Sequence, residues 1–562
     1  MNKNLSYSFL LVSSALLFTG CSKKLNQFQS DYFNANPSPM EVVGTTVPVT
    51  VTGNIPPKFF VKNAEVTVTP VLSFNGEELA ATPVIFQGEK VRGNNGVVSY
   101  DNGGIVTIPV NYLYRPEMIR SELYLAFDVK QGNNNYVLPR VKVADGIIAT
   151  GALSSAAGVT PAIAPDKFQR IINEKYTADI RFLINQANVR DTEINSSSVK
   201  QLNQDLRAAN RDTSRVIKEI NIQSYASPEG SLDFNTRLAE NREKNTQTYL
   251  KGQLKKDAIT EFGELTANFT PEDWEGFQRL VAASNIQDKE LILSVLQMYK
   301  DPEEREREIR NLSSVFTKLA EEILPQLRYS RITASVDVIG KDDATINNLV
   351  DTNPSALTVD ELLYAATLTD DLSRRKAIYN TAVSLFPDDF RGYNNLGMTQ
   401  YEQGDFDSAL ASFNKAARIA PNAPEVKMNQ GLIALLNKDY SAANASFGQA
   451  AGLDQLGSAL GVYYLEQGDV TAAVKAFGDD KNNNAALAQI LSKDYSKARS
   501  TLAAINNPDA TTYYLMAVLG ARTNNENTVV SNLRQAIKLD PSLASRALND
   551  LEFSNFNLAT IR

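Results

Sequence analysis

Residues 224–250 read SYASPEGSLDFNTRLAENREKNTQTYL, a Pro-Glu-Gly turn followed by Asn235 and Arg242, set between a β-like run and a helix. An arginine carries a planar, permanently charged fork that meets a carboxylate through two parallel hydrogen bonds. A glutamate or a serine hydroxyl beside it can accept from a cation. This is chemistry for holding a ligand rather than transforming one. The rest of the chain agrees by what it lacks. Its 562 residues contain no histidine, which removes the side chain most used for proton transfer near neutral pH and the commonest metal ligand. Triads built on histidine and most zinc sites are thereby excluded. Cys21 is the single cysteine, so a disulfide within the chain, a cysteine cluster and a Cys–His nucleophile are excluded too. Paired carboxylates can cleave a glycosidic bond without histidine, but no acid pair stands in a recognisable cleft motif. The expectation is a protein that is not an enzyme and takes no metal and no cofactor. Its net charge of −8 argues against a broad phosphate-binding surface, so nucleic acid is not an expected partner.

Several elements must position the corner. In a segment spanning 166–340, TADIRFLINQANV reads as a strand, SVKQLNQDLRAA as a helix, RVIKEINIQSYA as a second strand and DFNTRLAENREKNTQTYL as a second helix. A βαβα order implies a right-handed crossover where the strands run parallel. Phe234, Leu238 and Tyr249 share an apolar face of the second helix, which places Arg242 off that face. Two roles stand open for the polar residues. Asn235 is part of a site or braces the loop through local backbone hydrogen bonds. Arg242 holds a ligand or makes an ordinary surface ion pair worth under about 1 kcal/mol.

The spacing of Gly230, Asn235, Leu238 and Arg242 resembles the OmpA-like domain that binds peptidoglycan, over residues 166–340. The resemblance implies a groove that clamps the diaminopimelate of the wall stem peptide. A helix arginine pairs with its carboxylate there, and a loop aspartate fifteen residues earlier holds its ammonium. Arg242 matches the arginine. The aspartate position is Ser227, a neutral hydroxyl, with Glu229 two residues on as a substitute. Arg328 and Arg331, in LRYSRITASVDVIG, are placed like the arginines before the family's last strand, which implies a second anion contact. The sequence departs from the family at 253–327, a helical insertion. One helix is expected to open at TPEDW with Thr270 as cap and Pro271 in the first turn, another at DPEER with Asp301 and Pro302. Trp274, Phe277 and Val281 line one face of the first. Glu303–Arg307 and Glu306–Arg310 are spaced as helix ion pairs of a solvated face.

The N-terminal pattern, Lys3, an apolar run and FTGC, resembles a lipoprotein signal peptide, with Phe18 where that family prefers leucine. It implies a leader over 1–20, a lipidated Cys21 and anchorage to the outer membrane. The following SKKLNQF lacks an acidic run, which favours the periplasmic face. Residues 21–40 read as a tether. Period-two alternation over 41–148 predicts an all-β sandwich of immunoglobulin type. The Ala-, Gly- and Pro-rich 149–165 reads as a linker.

Beyond residue 355 the period changes. Tyr393, Leu396, Gly397, Gly404, Phe406, Ala409, Phe413, Ala416 and Pro421 stand at the spacing of a tetratricopeptide repeat. Gly431, Tyr440, Ala443, Phe447 and Ala450 follow 34 residues on, then Gly461, Ala473 and Phe477. Pro387 marks a divergent first repeat, and Leu533, Ala536 and Pro541 a late one. The fold class expected is therefore multidomain: a β-sandwich, an α/β OmpA-like domain and an all-α repeat solenoid over 355–562. The expected work is non-catalytic, anchoring to peptidoglycan and scaffolding envelope proteins through the repeats. The alternative is an assembly factor for an outer-membrane or surface-fibre system that binds no wall.

Overall fold

The computed structural model describes residues 26–286, 289–311, 317–559 and 561. Cys21 and the leader expected over 1–20 lie outside the described residues. The chain divides into two compact units, one formed by residues up to Pro165 together with Thr369–Arg562, the other by Asp166–Leu368.

In the first unit, Thr46–Ile55 and Gly104–Leu113 alternate buried and outward residues along their length, as a sheet with one covered face requires. With Phe33–Asn36 they form a three-stranded antiparallel sheet. A larger sheet is built on Ala64–Phe74 and Ser121–Gln131, with Asn134–Asp145 beyond one side and Val84–Gly88 and Gly96–Val98 beyond the other. Val49, Val51, Ile108 and Val110 of the first sheet share one apolar core with Val66, Val68, Leu123 and Leu125 of the second. The tether expected over 21–40 is folded from its first described residues: Phe28 stacks on Phe127 with centroids 4.3 Å apart, and Phe33, Ala35 and Met40 are buried. Phe28, Phe33 and Met40 thus have a core to enter, and burying each stabilises by about 1.5–3 kcal/mol.

The helical part of this unit is a series of antiparallel pairs: Phe390–Glu402 with Phe406–Ile419, Pro424–Leu436 with Tyr440–Phe447, and Leu456–Glu466 with Val470–Phe477. Asn483–Leu491 with Tyr495–Ala503, and Ala510–Arg522 with Glu526–Leu539, continue it. One turn joins every pair. Gly404, Lys438, Gly468, Lys493 and Asn524 take left-handed φ, and the next residue, Asp405, Asp439, Asp469, Asp494 or Asn525, caps the second helix by accepting a backbone N–H. Within pairs, Gly397, Gly431 and Gly461 let the rings of Phe413, Phe447 and Phe477 approach so closely that an added Cβ would lie 2.5–2.7 Å from ring carbons. In the last two pairs the same positions, 16 residues apart, hold Ala486 with Leu502 and Ala517 with Leu533, all buried. A smaller plug leaves room for a methyl group.

The second unit carries a four-stranded sheet in the order Ile171–Arg181, Tyr329–Ile339, Arg215–Tyr225, Glu264–Thr270. Tyr329–Ile339 runs antiparallel to both neighbours, while Glu264–Thr270 lies parallel to Arg215–Tyr225. Helices Ser197–Arg211 and Leu232–Lys256 connect the strands, and Val199, Leu202, Leu206, Leu250 and Leu254 meet Ile220, Ile222 and Ile332 in one core. The insertion at 253–327 is thus not wholly helical, because Glu264–Thr270 contributes an edge strand. Its first helix, Trp274–Ala283, is capped by Asp273 rather than Thr270, which ends that strand. The next cap falls as expected: Asp301 accepts from the Glu304 N–H at 3.0 Å ahead of Pro302. Phe277 and Val281 enter a small separate core with Ile292, Leu296, Leu324 and Leu327, and Trp274 packs against it. Arg310 pairs with Glu306, while Arg307 turns to Glu304 and Glu308 instead of Glu303. The unit closes with Asp343–Thr352 and Val359–Thr367.

Candidate functional site

The buried stripe of Leu232–Lys256 is Asn235, Ala239, Arg242, Thr246, Leu250 and Leu254, so the apolar face expected from Phe234, Leu238 and Tyr249 is not the one turned inward. Phe234 is exposed and Arg242 is fully buried. The reason is hydrogen bonding. Arg242 donates from Nε to the Gln186 carbonyl at 3.0 Å, from Nη1 to that of Tyr225 at 2.8 Å and from Nη2 to that of Leu183 at 3.3 Å, with its guanidinium over the Phe182 ring. It ties one loop and the end of a strand to the helix. Burial, with Arg328 nearby, pulls its pKa down to about 10, so it stays charged at neutral pH.

The turn before this helix is likewise self-satisfied. The Ser227 hydroxyl donates to Glu229 at 2.6 Å, and Arg328 grips both carboxylate oxygens of Glu229 at 2.9 Å. Arg328 and Ser227 are buried. Arg310, on an inserted helix, donates to the Glu229 carbonyl. Asn235 donates to the Gly230 carbonyl at 2.8 Å and to Glu272 at 3.1 Å, which is the bracing role open to it from sequence. Ser227, Glu229, Asn235, Arg242 and Arg328 therefore converge. Arg331 does not join them. It forms a bidentate pair with Asp179 at 2.8 Å across neighbouring strands, and that pairing raises its pKa. Among the described residues, no group of His, Cys, Asp and Glu is placed to hold a metal.

A second arrangement lies within the other unit. Residues 154–165 run as a strap, mostly extended, against the first helices of the repeat pairs, and asparagine amides hold the backbone. Asn484 accepts from the Ser155 N–H at 3.0 Å and donates to its carbonyl at 2.9 Å. Asn429 does the same for Ala162 at 2.7 and 2.8 Å, and Asn395 for Ala164 at 2.8 and 2.9 Å. Asn394 adds a bond to the Ala162 carbonyl at 3.0 Å, and the Tyr401 hydroxyl one to the Ala156 carbonyl at 2.6 Å. Burial raises the pKa of Tyr401, which keeps it a donor. Ala156, Val159 and Ala162 join the repeat core. The stretch read as a linker is thus a docked segment. Asn395, Asn429 and Asn484 each stand 18 residues ahead of Phe413, Phe447 and Leu502 respectively. That recurrence is a sequence signal for the groove, one that the repeat motif does not carry, because its residues mark the core and leave this face unspecified.

A family model described as a tetratricopeptide repeat matches residues 390–423. No curated protein sequence matches the chain. Similar solved structures include a chain of the APC/C hetero-tetramer Cut9–Hcn1, at 17% identity over 36% of this chain and 45% of that one, with a TM-score of 0.31. Another is a tetratricopeptide repeat protein from Parabacteroides merdae, at 13% identity, 37% and 89% coverage and a TM-score of 0.29. A third is pilF of Pseudomonas aeruginosa, at 16% identity, 38% and 99% coverage and a TM-score of 0.28. The C-terminal all-helical region is tetratricopeptide-like, the N-terminal region is sheet-rich, and repeats of this class suggest protein–protein scaffolding.

Proposed function

We propose that the chain is a non-catalytic scaffold of the bacterial envelope, lipid-anchored at Cys21 to the outer membrane on its periplasmic face, that binds protein partners through its repeats. Its 166–340 segment keeps an OmpA-like frame as a structural module, beside an N-terminal immunoglobulin-type sandwich. One observation carries the choice between the two sequence readings: Arg242 is fully buried on three backbone carbonyls, while the adjacent Glu229 is taken by Arg328. A diaminopimelate carboxylate would have to extract Arg242 from those bonds. The peptidoglycan-anchoring reading keeps the support of the Gly230–Asn235–Leu238–Arg242 spacing in its strand, turn and helix context.

Sedimentation with insoluble purified wall separates the readings. The structural-module reading expects the protein to stay in the supernatant, and pelleting of the wild-type protein with the wall would reverse the choice. For the anchor, Cys21→Ala is expected to release the protein from membranes in high salt. Retention would remove lipidation as the tie.

A further inference from the structure

We propose that the asparagine-lined groove of the repeats is a displaceable peptide site, held in the resting protein by residues 154–165 and open to an extended, uncharged partner segment rich in Ala, Gly, Ser and Pro. This rests on the scaffold reading and names the partner chemistry of its repeats.

Three observations carry it. The clamps at Ser155, Ala162 and Ala164 each take both N–H and C=O of one residue, so they read main chain and any extended segment can satisfy them. The strap side chains that face the groove are small, Ala156, Val159, Pro161, Ala162 and Ala164, whereas Ser155, Ala157, Gly158, Thr160 and Ile163 face outward. Three of these five inward positions are alanines, so the backbone clamps, more than large side chains, define the contact. The amides of the row also bond to one another. Asn394 donates to Asn395 at 3.1 Å and Asn429 donates to Asn394 at 3.0 Å, which orients three amides relative to one another.

A tethered resident masks such a site. Its effective concentration is on the order of millimolar, so a free segment competes only when the strap is undocked. The test uses the full chain and a fluorescent peptide, SSAAGVTPAIAP. In a variant carrying Ala162→Glu and Ala164→Glu, two charged side chains replace methyl groups that are buried, and the strap leaves. This variant is expected to bind the peptide at least about tenfold more tightly than the wild type. Adding Asn429→Ala, or methylating the peptide nitrogen at the Ala162 position, is expected to weaken binding by about tenfold or more, since each breaks a backbone clamp. A folded strap variant that binds no peptide overturns the proposal, as does binding indifferent to both changes.

If the double variant does not fold, hydrogen exchange on the wild type decides. Ala162 and Ala164 amides that exchange well ahead of the Leu432 and Val462 amides support displacement. Exchange only in step with those helices makes the strap a permanent part of the core and refutes it. A chain that binds the peptide but captures no partner protein refutes the scaffold reading alone. One that captures partners but refuses the peptide refutes the groove alone.

Discussion

Replacing Arg242 by methionine is expected to lower the stability of the Asp166–Leu368 unit by about 3 kcal/mol, with little effect on any ligand. The change leaves the Gln186, Tyr225 and Leu183 carbonyls without their donors. A bond from a charged donor contributes about 1.5–3 kcal/mol, and a buried acceptor left unmade costs about 1–3 kcal/mol. Two of the bonds have ordinary lengths, 3.0 and 2.8 Å, and one, at 3.3 Å, is weak. Against this, methionine ends the burial of a charge whose cost shows in the pKa pulled down to about 10. Breaking buried charged arrangements costs about 3–5 kcal/mol in all, and the lower end fits a site with one weak bond. For a unit of this size each kcal/mol moves the melting temperature by about 2–4 °C, so a drop of about 6–12 °C is expected in calorimetry. Arg242→Lys sharpens the test. It keeps the buried charge but loses the fork that reaches three separate carbonyls, so it should melt at or below the methionine variant. A methionine variant melting within about 2 °C of the wild type, or a lysine variant that melts like it, would refute the claim that Arg242 is spent on the fold.

Gly431→Ala puts a methyl group against the Phe447 ring and should cost about 1–3 kcal/mol. Combining it with Phe447→Leu, which copies the Ala486/Leu502 pair, should cost less than the sum of the single changes in a double-mutant cycle by urea unfolding. Asp179→Asn removes the half-exposed pair with Arg331 and should cost under about 1 kcal/mol in the same calorimetry. Glu306→Gln should raise the melting temperature at pH 7. Burial lifts the Glu306 carboxyl above its ordinary pKa more than Arg310 lowers it, so the folded state holds the proton more tightly and ionisation works against folding. The advantage of glutamine should therefore fade as pH falls through that raised value towards the ordinary carboxylate range, and melts at pH 7 and pH 4 check it.

Periodicity made the repeat helices legible, because the Gly–Phe pairs that pack them recur at fixed spacing. The pair at Ala486/Leu502 carries no glycine or phenylalanine to mark it, and of Ala517/Leu533 only Leu533 stands at a motif position; the capping turns, KDY at 438–440 and again at 493–495, carry the surviving signal. The corner was legible as a neighbourhood: Ser227, Glu229, Asn235, Arg242 and Arg328 do converge. Its inward face is not legible from apolarity, since Phe234 is exposed and Arg242 buried. A helix can instead bury arginine and asparagine when main-chain carbonyls wait for them. The strap reads as a linker because Ala, Gly and Pro advertise no periodicity; its hold comes from side chains 226–329 residues further along.

That separation sets a timetable during synthesis. Helical repeats fold through local contacts as they emerge, but the strap is made first and must wait for partners that appear 226–329 residues later. At about 5–20 residues per second this is on the order of ten seconds to a minute. In that interval the waiting segment has no long apolar or charged run to misdirect it. Once residues 390–436 exist, the first asparagines face an open channel before the unit is complete. The strap is already made and tethered when those asparagines appear, so the order of manufacture, as well as affinity, favours the resident as the first occupant of the channel.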